Sequence, residues 1–566
     1  MKKKERIIKN ILQLLLILLI IGVVGYLSSV WFFRIDLTSE NRYSLSNTTR
    51  SILEELPGEV SVIVYLEGDM PIGFKRLKQA TKELLDEFRV FSKRKVSFDF
   101  VNPSNEQNLK ERNKIYKELF EKGLHPLNVK SSDKEGGKSQ KTLFPGAIIS
   151  FNGKEMSVNL LLNNPGLPAS ENLNRSMENL EYEFVRAIEA ITTDTIYKIA
   201  FIEGHGELYE PQVEDISKEL SRYYTIDRGK IGGKPGILNN YAAVIVANPT
   251  KAFNEPDKLV LDQYLMQGGS ILWLLDPVAV DMDSLMYSSI TLAFLRDLKL
   301  NDLLFKYGVR INDDLIQDIQ CAKIPVNTAI VGNPPQYTPV PWLFYPLLEG
   351  SGHSISRNLN LVRAEFASVL DTLEGGGDLE KTILLRSSSY SKTFGVPNLI
   401  NLMDIRNPLP REAFTKEYLP VAVLLEGRFN SAYRNRMVEA IVPDHKFDFL
   451  DKSVPARMIV ISDGDLIRND VSFQGGKPVS LPLGQDRLTQ QTYGNKDFIL
   501  NSVSYLVDES GLMELREREL KLRLLDKVKV EGGRLKWQLI NTLLPVLLVL
   551  LFGVVAGIVR KRKYST

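Results

Sequence analysis

The chain has 566 residues and a mass of 64.0 kDa, with 71 Lys+Arg against 69 Asp+Glu for a formal net charge of +2, and 25% charged residues. Such a length implies roughly three to four domains, and the charge balance excludes a basic nucleic-acid binder and a wholly disordered chain. A quarter of charged residues also leaves no room for many membrane spans, and the single cysteine, Cys321, excludes an intramolecular disulfide or a Cys-based zinc cluster.

The first element is a 24-residue stretch without a charge, residues 10–33, preceded by Lys2, Lys3, Lys4, Arg6 and Lys9. A helix of that length is about 36 Å long, enough to cross a hydrocarbon core of ~30 Å. A cleaved signal peptide is the competing reading; the run is long for one, and residues 26–33 offer no small-x-small cleavage site. At the other end, residues 538–559 form a 22-residue uncharged run followed by Arg560, Lys561, Arg562 and Lys563. Pro545 within it is tolerated in a span, and Trp31 and Trp537 sit at the outer ends, at headgroup level. Basic residues beside both runs predict cytoplasmic termini and a large extracytoplasmic body.

Between the runs, Ser46 or Asn47 caps a short predicted helix to about Leu56, stopped by Pro57-Gly58. Residues 60–66 and 96–101 read as strands, and 74–92 and 104–122 as helices. A polar loop at 131–140 leads to a hairpin, 143–151 with 154–161, around Asn152-Gly153. A helix follows at 180–190. From residue 197 the pattern is strand 198–202, the turn Glu203-Gly204-His205-Gly206-Glu207, helix 212–222, strand 241–248, helix 256–267, strand 271–275 ending in Asp276, and later strand 458–462 ending in Asp463 and Asp465. Strands alternating with helices imply an α/β layer with parallel pairing. Residues 300–395 lack a clear period. Within them 325–350 interleaves prolines with Tyr337, Trp342, Phe344 and Tyr345, read either as an extended docking segment or as a Pro-rich loop packed on its own domain. Leucines among charges at 511–529 read as a membrane-proximal helix or stalk leading into the second span.

The domain plan is therefore a cytoplasmic tail (1–9), a span (10–33), an N-terminal α/β domain (34–190), a second α/β domain with a Pro-rich insertion (191–510), a stalk (511–536), a second span (538–559) and a cytoplasmic tail (560–566). Ligand chemistry centres on the strand-end turn. Its glycines allow close backbone approach, and Glu203, His205 and Glu207 have acid–base capacity at the strand ends where α/β sheets place ligands. The same residues also suit a tight structural turn. Asp276, Asp463 and Asp465 suit either a divalent cation or helix capping. Cys321 lies on no nucleophile elbow, no phosphate-binding loop or HExxH motif is present, and the histidines (His125, His205, His353, His445) are too scattered for a His-rich metal site.

The order of motifs resembles a known family: IDLTSENRYSLS, LPGEVSVIVYLEGDMP, IAFIEGHGE, the run from YAAVIVANPT to SILWLLDP, VAVLLEGRFNS, RMIVISDGDLI, and LKLRLLDKVKVEGGRLKWQLINTLLPVLLVLLFG with its basic end. It is similar to the gliding-motility-associated ABC transporter components of the GldG type from Bacteroidetes, and more broadly to auxiliary extracytoplasmic ABC-transporter subunits. The resemblance implies a GldF-like permease and a GldA-like cytoplasmic ATPase as partners and no catalysis; beside it, the expectation is inner-membrane lipid around the spans, no nucleic acid and no cofactor. It also implies a class I glutamine-amidotransferase-like fold over about 197–462. That enzyme class needs a cysteine at a nucleophile elbow and a later His-x-Glu; here the strand ILWLL leads to Asp276, and neither His353 nor His445 is followed two residues on by Glu. Two alternatives stand beside this one: a membrane-tethered hydrolase or amidotransferase-like enzyme using Glu203, His205 and Glu207, and an envelope scaffold acting through 325–350.

Overall fold

A computed structural model of the chain describes residues 12–20, 22–23, 45–132, 138–162, 168–193, 196–280, 282–327, 336–406, 409–442, 448–486, 489, 491–508, 510–517 and 527–564. It divides into two units, residues 1–518 and 519–566.

The first unit opens with α1 (Asn47–Glu54), whose N-cap Ser46 accepts the Thr49 amide at 2.9 Å. There follow β1 (Val60–Val64), α2 (Ile72–Phe91), β2 (Val96–Phe100), α3 (Leu109–Glu121), β3 (Gly146–Phe151), β4 (Lys154–Asn159) and α4 (Ala169–Thr192). The four strands form one sheet in the order β2-β1-β3-β4, parallel between β1 and β2 and antiparallel elsewhere. Alternation in β1 buries Val60, Val62 and Val64 completely against the helices. The expected hairpin is present, its turn formed by Asn152 and Gly153, both at positive φ as a two-residue hairpin turn requires. Three expectations change. Residues 127–132 and 138–143 pair as antiparallel strands, so the described part of the polar stretch at 131–140 is strand, with 133–137 outside the described residues. The 104–122 helix begins only at Leu109, because Asn108 caps it. The 180–190 helix starts a full eleven residues earlier, at Ala169 after Pro168.

The second sheet continues with β5 (Lys198–Glu203), α5 (Glu214–Leu220), β6 (Thr225–Lys230), β7 (Ala243–Ala247), α6 (Glu255–Met266), β8 (Ser270–Leu274), β9 (Cys321–Asn327), β10 (Tyr337–Gly350), β11 (Gly377–Arg386), β12 (Pro420–Phe429), β13 (Ala456–Ile461) and α7 (Asn495–Val507). Its strand order is β9-β10-β11-β12-β13-β8-β7-β5-β6. The segment β13-β8-β7-β5-β6 is wholly parallel, whereas β9 to β12 extend it by antiparallel pairing. All five residues of β7 and of β8 are buried, the pattern of strands covered on both faces. Numbered along the chain, the parallel strands run 2-1-3-4-5, so the order reverses between β5 and β7. In such sheets ligands bind at that reversal, outside the carboxyl ends of the strands. A single apolar core links the two sheets, running from Leu53 and Phe88 through Phe184 to Phe498 and Leu515.

The Pro/aromatic segment is corrected in one respect. Its described part, β10, is an inner strand pairing with β9 and β11, and Trp342 is buried beside Phe344, 5.3 Å between ring centres. A strand paired with β9 along most of its length, and whose Trp342 is buried in its own domain, is no free docking peptide; of the two proposed aromatics only Tyr337 is exposed. Residues 328–335 lie outside the described residues.

In the second unit α8 (Lys527–Tyr564) is a 38-residue helix with Pro545 inside it. Its stretch Lys536–Val559 has a mean hydropathy of 2.8 and is unburied, and it is long and apolar enough to cross a membrane. The predicted membrane-proximal helix is shorter than expected at its start: residues 512–517 form a 3-10 turn, and 518–526 lie outside the described residues. Of the N-terminal run, residues 12–20 and 22–23 are helical and exposed, and its remainder, with the basic tail before it, lies outside the described residues.

Candidate functional site

The turn after β5 and the loops after β7, β8 and β13 meet at one edge of the parallel sheet. The turn is fixed first. Gly204 and Gly206 have φ of +120° and +75°, and a Cβ on Gly206 would fall 2.1 Å from the Thr250 hydroxyl, so only glycine fits there. The His205 carbonyl accepts the amides of Thr250 and Lys251 at 2.9 and 2.7 Å, tying the turn to the loop after β7.

His205 itself is 5% exposed. Its ring is stacked 3.7 Å from Phe253, its Nδ1 lies 3.1 Å from Glu207 Oε1 and its Nε2 3.0 Å from Asp257 Oδ2. Asp257 sits in the first turn of α6, where it also accepts the Gly233 amide at 2.6 Å and an amide proton of Asn254 at 3.0 Å. Burial disfavours the imidazolium, but the hydrogen bonds to Asp257 and Glu207 outweigh it and hold the pKa up to about 9. A ring charged at neutral pH with both nitrogens engaged by carboxylates has no lone pair to offer as a base. Glu203 is separated from it: its carboxylate accepts the Arg228 Nε at 2.9 Å on the neighbouring strand β6. The EGHGE cluster thus splits into a strand-edge ion pair and a buried His–carboxylate clamp.

Asp276, Asp463 and Asp465 do converge. Asp276 accepts the Gly464 amide at 2.6 Å, and Asp463 accepts the amides of Asp465 and Glu365 at 2.8 and 2.7 Å. Asp465 accepts a proton of the Asn248 side chain at 2.8 Å and pairs with Arg468 at 3.3 Å. Burial together with the charge of Asp465 pushes Asp276 up to about 7, and burial with Asp276 raises Asp463 well above the carboxylate range. Opposite them stand groups the sequence did not point to. Glu365 is gripped by Arg363 and Arg468, each at 2.8 Å, and Arg296 donates to the side-chain Oδ1 of Asn248 at 3.0 Å. Burial works against the charge of Glu365, but the two guanidinium groups override it and hold the carboxyl below its ordinary range.

Asn248, Asp276, Arg296, Glu365, Asp465 and Arg468 line a cleft of about 370 Å³ together with Tyr209, Gln212 and Thr250. Its acids are matched by guanidinium groups and backbone amides, which suits recognition of a polar surface or ligand. Among the described residues no group of three or more His, Cys, Asp or Glu is placed to hold a metal ion. Cys321 lies on β9, far along the sheet order from this edge, and burial, with Asp318 nearby, pushes its thiol up to about 11, away from nucleophilic use. His445 lies outside the described residues.

Residues 197–502, more than half of the chain, match the family described as an ABC-type uncharacterized transport system; they span the parallel sheet and all of this edge. Residues 39–150 match a domain of unknown function, DUF7088. An uncharacterized protein of Borreliella burgdorferi is 20% identical over the full length of both chains. Among solved structures, the mmIFT52 N-terminal domain aligns at a TM-score of 0.31 and 14% identity, covering 55% of this chain and 96% of its own. A protein of Parabacteroides merdae described as thua-like aligns at 0.26 and 11%, covering 56% and 90%.

Proposed function

Because the chain belongs to the ABC-type uncharacterized transport system family, we propose that it is a non-enzymatic, membrane-anchored auxiliary subunit whose extracytoplasmic body binds a partner or a substrate at the carboxyl edge of the parallel sheet. The observation that carries this reading is the coincidence of the family match with the sheet whose edge gathers Asn248, Asp276, Arg296, Glu365, Asp465 and Arg468 around one cleft. The apolar helix Lys536–Val559 supports a membrane anchor. In the proposed topology the run at 10–33 is a second span, both basic tips are cytoplasmic, and the body faces the periplasm. The spans pack against a permease of the GldF kind, with a GldA-like ATPase on the cytoplasmic side and a role in gliding motility or secretion.

The amidotransferase-like reading of the second region is supported by the 2-1-3-4-5 order of its parallel strands. At the strand end where such an enzyme carries its cysteine, this chain has Asp276-Pro277. With His205 clamped between two carboxylates, the same edge is better suited to binding than to acid–base turnover.

A photo-crosslinking residue placed at Tyr209, which lines the cleft and is 52% exposed, tests the assignment in native membranes. Adducts with a multi-span permease or its cargo are expected there and not from Phe120 on α3. Equal labelling from both positions, or none from Tyr209, would sink the assignment of the edge.

A further inference from the structure

A second cleft lies at the opposite, amino-terminal edge of the parallel strands, where α4, the starts of β5 and β6 and the end of α7 converge. Its volume is about 370 Å³. One helical stripe of α4 supplies Tyr182, Arg186 and Glu189 at spacings of four and three, so they share a face. Tyr223 and Tyr224 come from the entrance to β6, and Leu512 and Met513 from the chain beyond α7.

The charges in this cleft are unevenly used. Asp508 accepts the amides of Ser510 and Gly511 at 2.9 Å on one oxygen and that of Met513 at 2.8 Å on the other, so its carboxylate is spent on the local turn. Glu189 is hydrogen-bonded to Ser510. Arg186 differs. Its guanidinium carbon stands 3.9 Å over the Tyr223 ring, and one nitrogen donates to the Ser504 hydroxyl at 2.9 Å. Among the described residues no carboxylate reaches it at ion-pair distance, and Glu183 and Glu189 act on its charge only through space. Tyr223 fixes the plane of the guanidinium, and the fork of donors that it leaves open matches the geometry of a carboxylate or phosphate. Apolar side chains and phenol rings stand beside it.

We propose that this cleft is a binding site for an anion carried on an apolar or aromatic body, with the carboxylate or phosphate taken by Arg186 and the body by the tyrosine rings and Leu512–Met513. The site is distinct from the strand-end cleft and closes against the segment just before the chain runs on toward α8.

Isothermal titration of phenyl phosphate into the full chain in phosphatidylcholine nanodiscs tests the proposal. Saturable one-site binding is expected, with phenol and inorganic phosphate each at least tenfold weaker, since each lacks half of the recognition. Arg186→Gln should weaken phenyl phosphate binding at least tenfold, and Tyr223→Leu should weaken it as well. Absence of saturable binding, or equal binding by Arg186→Gln, overturns the proposal. Should Arg186→Gln not fold, the unaltered chain decides alone: phenol or inorganic phosphate binding as tightly as phenyl phosphate overturns it too. In nanodiscs containing phosphatidylglycerol, a weakened phenyl phosphate affinity assigns the anion to a lipid headgroup, and an unchanged one to a soluble anion.

Discussion

Replacing His205 with alanine is expected to lower the stability of the first unit by about 3–5 kcal/mol at pH 6.5, the cost of removing one partner from a buried, hydrogen-bonded charge group. The imidazolium bridges Glu207 and Asp257 at 3.1 and 3.0 Å, and both carboxylates are almost fully enclosed, so alanine leaves two buried acids facing each other across a void. The turn after β5 and the first turn of α6 would lose their link at the point where the strand order reverses. The pH dependence gives the prediction its signature. The folded pKa is raised from 6.5 to about 9, so the contribution is fully present below about 6.5 and is lost as pH rises through 9. A shift of that size corresponds to about 3 kcal/mol. Thermal unfolding of the full chain should therefore show a large penalty for His205→Ala at pH 6.5 and a much smaller one at pH 9.5. A penalty that is small at both values, or the same at both, contradicts an imidazolium clamp.

Glu365→Ala should be comparably damaging, again about 3–5 kcal/mol, for the opposite reason. Here the acid is the hub and two guanidinium groups, Arg363 and Arg468, are left behind without it. Arg468 would then have Asp465 alone, and Asp463 and Asp465 would be relieved of the repulsion of Glu365, which offsets a part of the loss. The sign with pH is reversed relative to His205. The folded pKa of Glu365 is depressed, so its contribution is present above the ordinary glutamate value near 4.5 and fades as pH falls through the lower folded value. Glu365→Gln, which keeps the shape and one acceptor, should cost less than alanine. Denaturation of the full chain at pH 7 checks the order: wild type most stable, then glutamine, then alanine. Equal stability of all three would show that Glu365 does not organise the edge.

The halves of the fold differed in how far the sequence disclosed them, and the difference is physical. Strands β7 and β8 are continuous apolar runs closed by Asn248-Pro249 and Asp276-Pro277, and such runs announce buried parallel strands. The hairpin at Asn152-Gly153 was equally plain, because its turn chemistry is local. By contrast β9 to β12 carry mixed burial, prolines and a bulged register, so no period of two survives in the sequence. Strand β6 (TIDRGK) is polar, lying at a sheet edge, and α7 is buried nearly all round, which erases the amphipathic stripe.

The site followed the same division. Asp276, Asp463, Asp465 and the 203–207 turn were visible because each follows a strand, and strand ends in an α/β sheet face a common edge. Arg363 ends a two-residue strand with Val362 and Glu365 follows it, inside the stretch that had no readable period, and nothing local marks them. Asp257, the partner of His205, reads from sequence only as a first-turn helix acid. Its second role depends on a contact 52 residues away. Trp342 shows the converse: prolines interleaved with aromatics look like a peptide for docking, yet Trp342, Phe344 and Tyr345 fill their own domain's core and only Tyr337 stays exposed.

The central claim, that this chain works as an auxiliary subunit of an ABC transport complex, is tested most directly by purifying the tagged full chain from native membranes in mild detergent and identifying stoichiometric companions. The account predicts a multi-span permease together with an ATPase carrying a phosphate-binding loop, both retained through size-exclusion chromatography and both lost when Lys536–Val559 is replaced by an unrelated span. Recovery of the chain alone under conditions that preserve other ABC assemblies would contradict it.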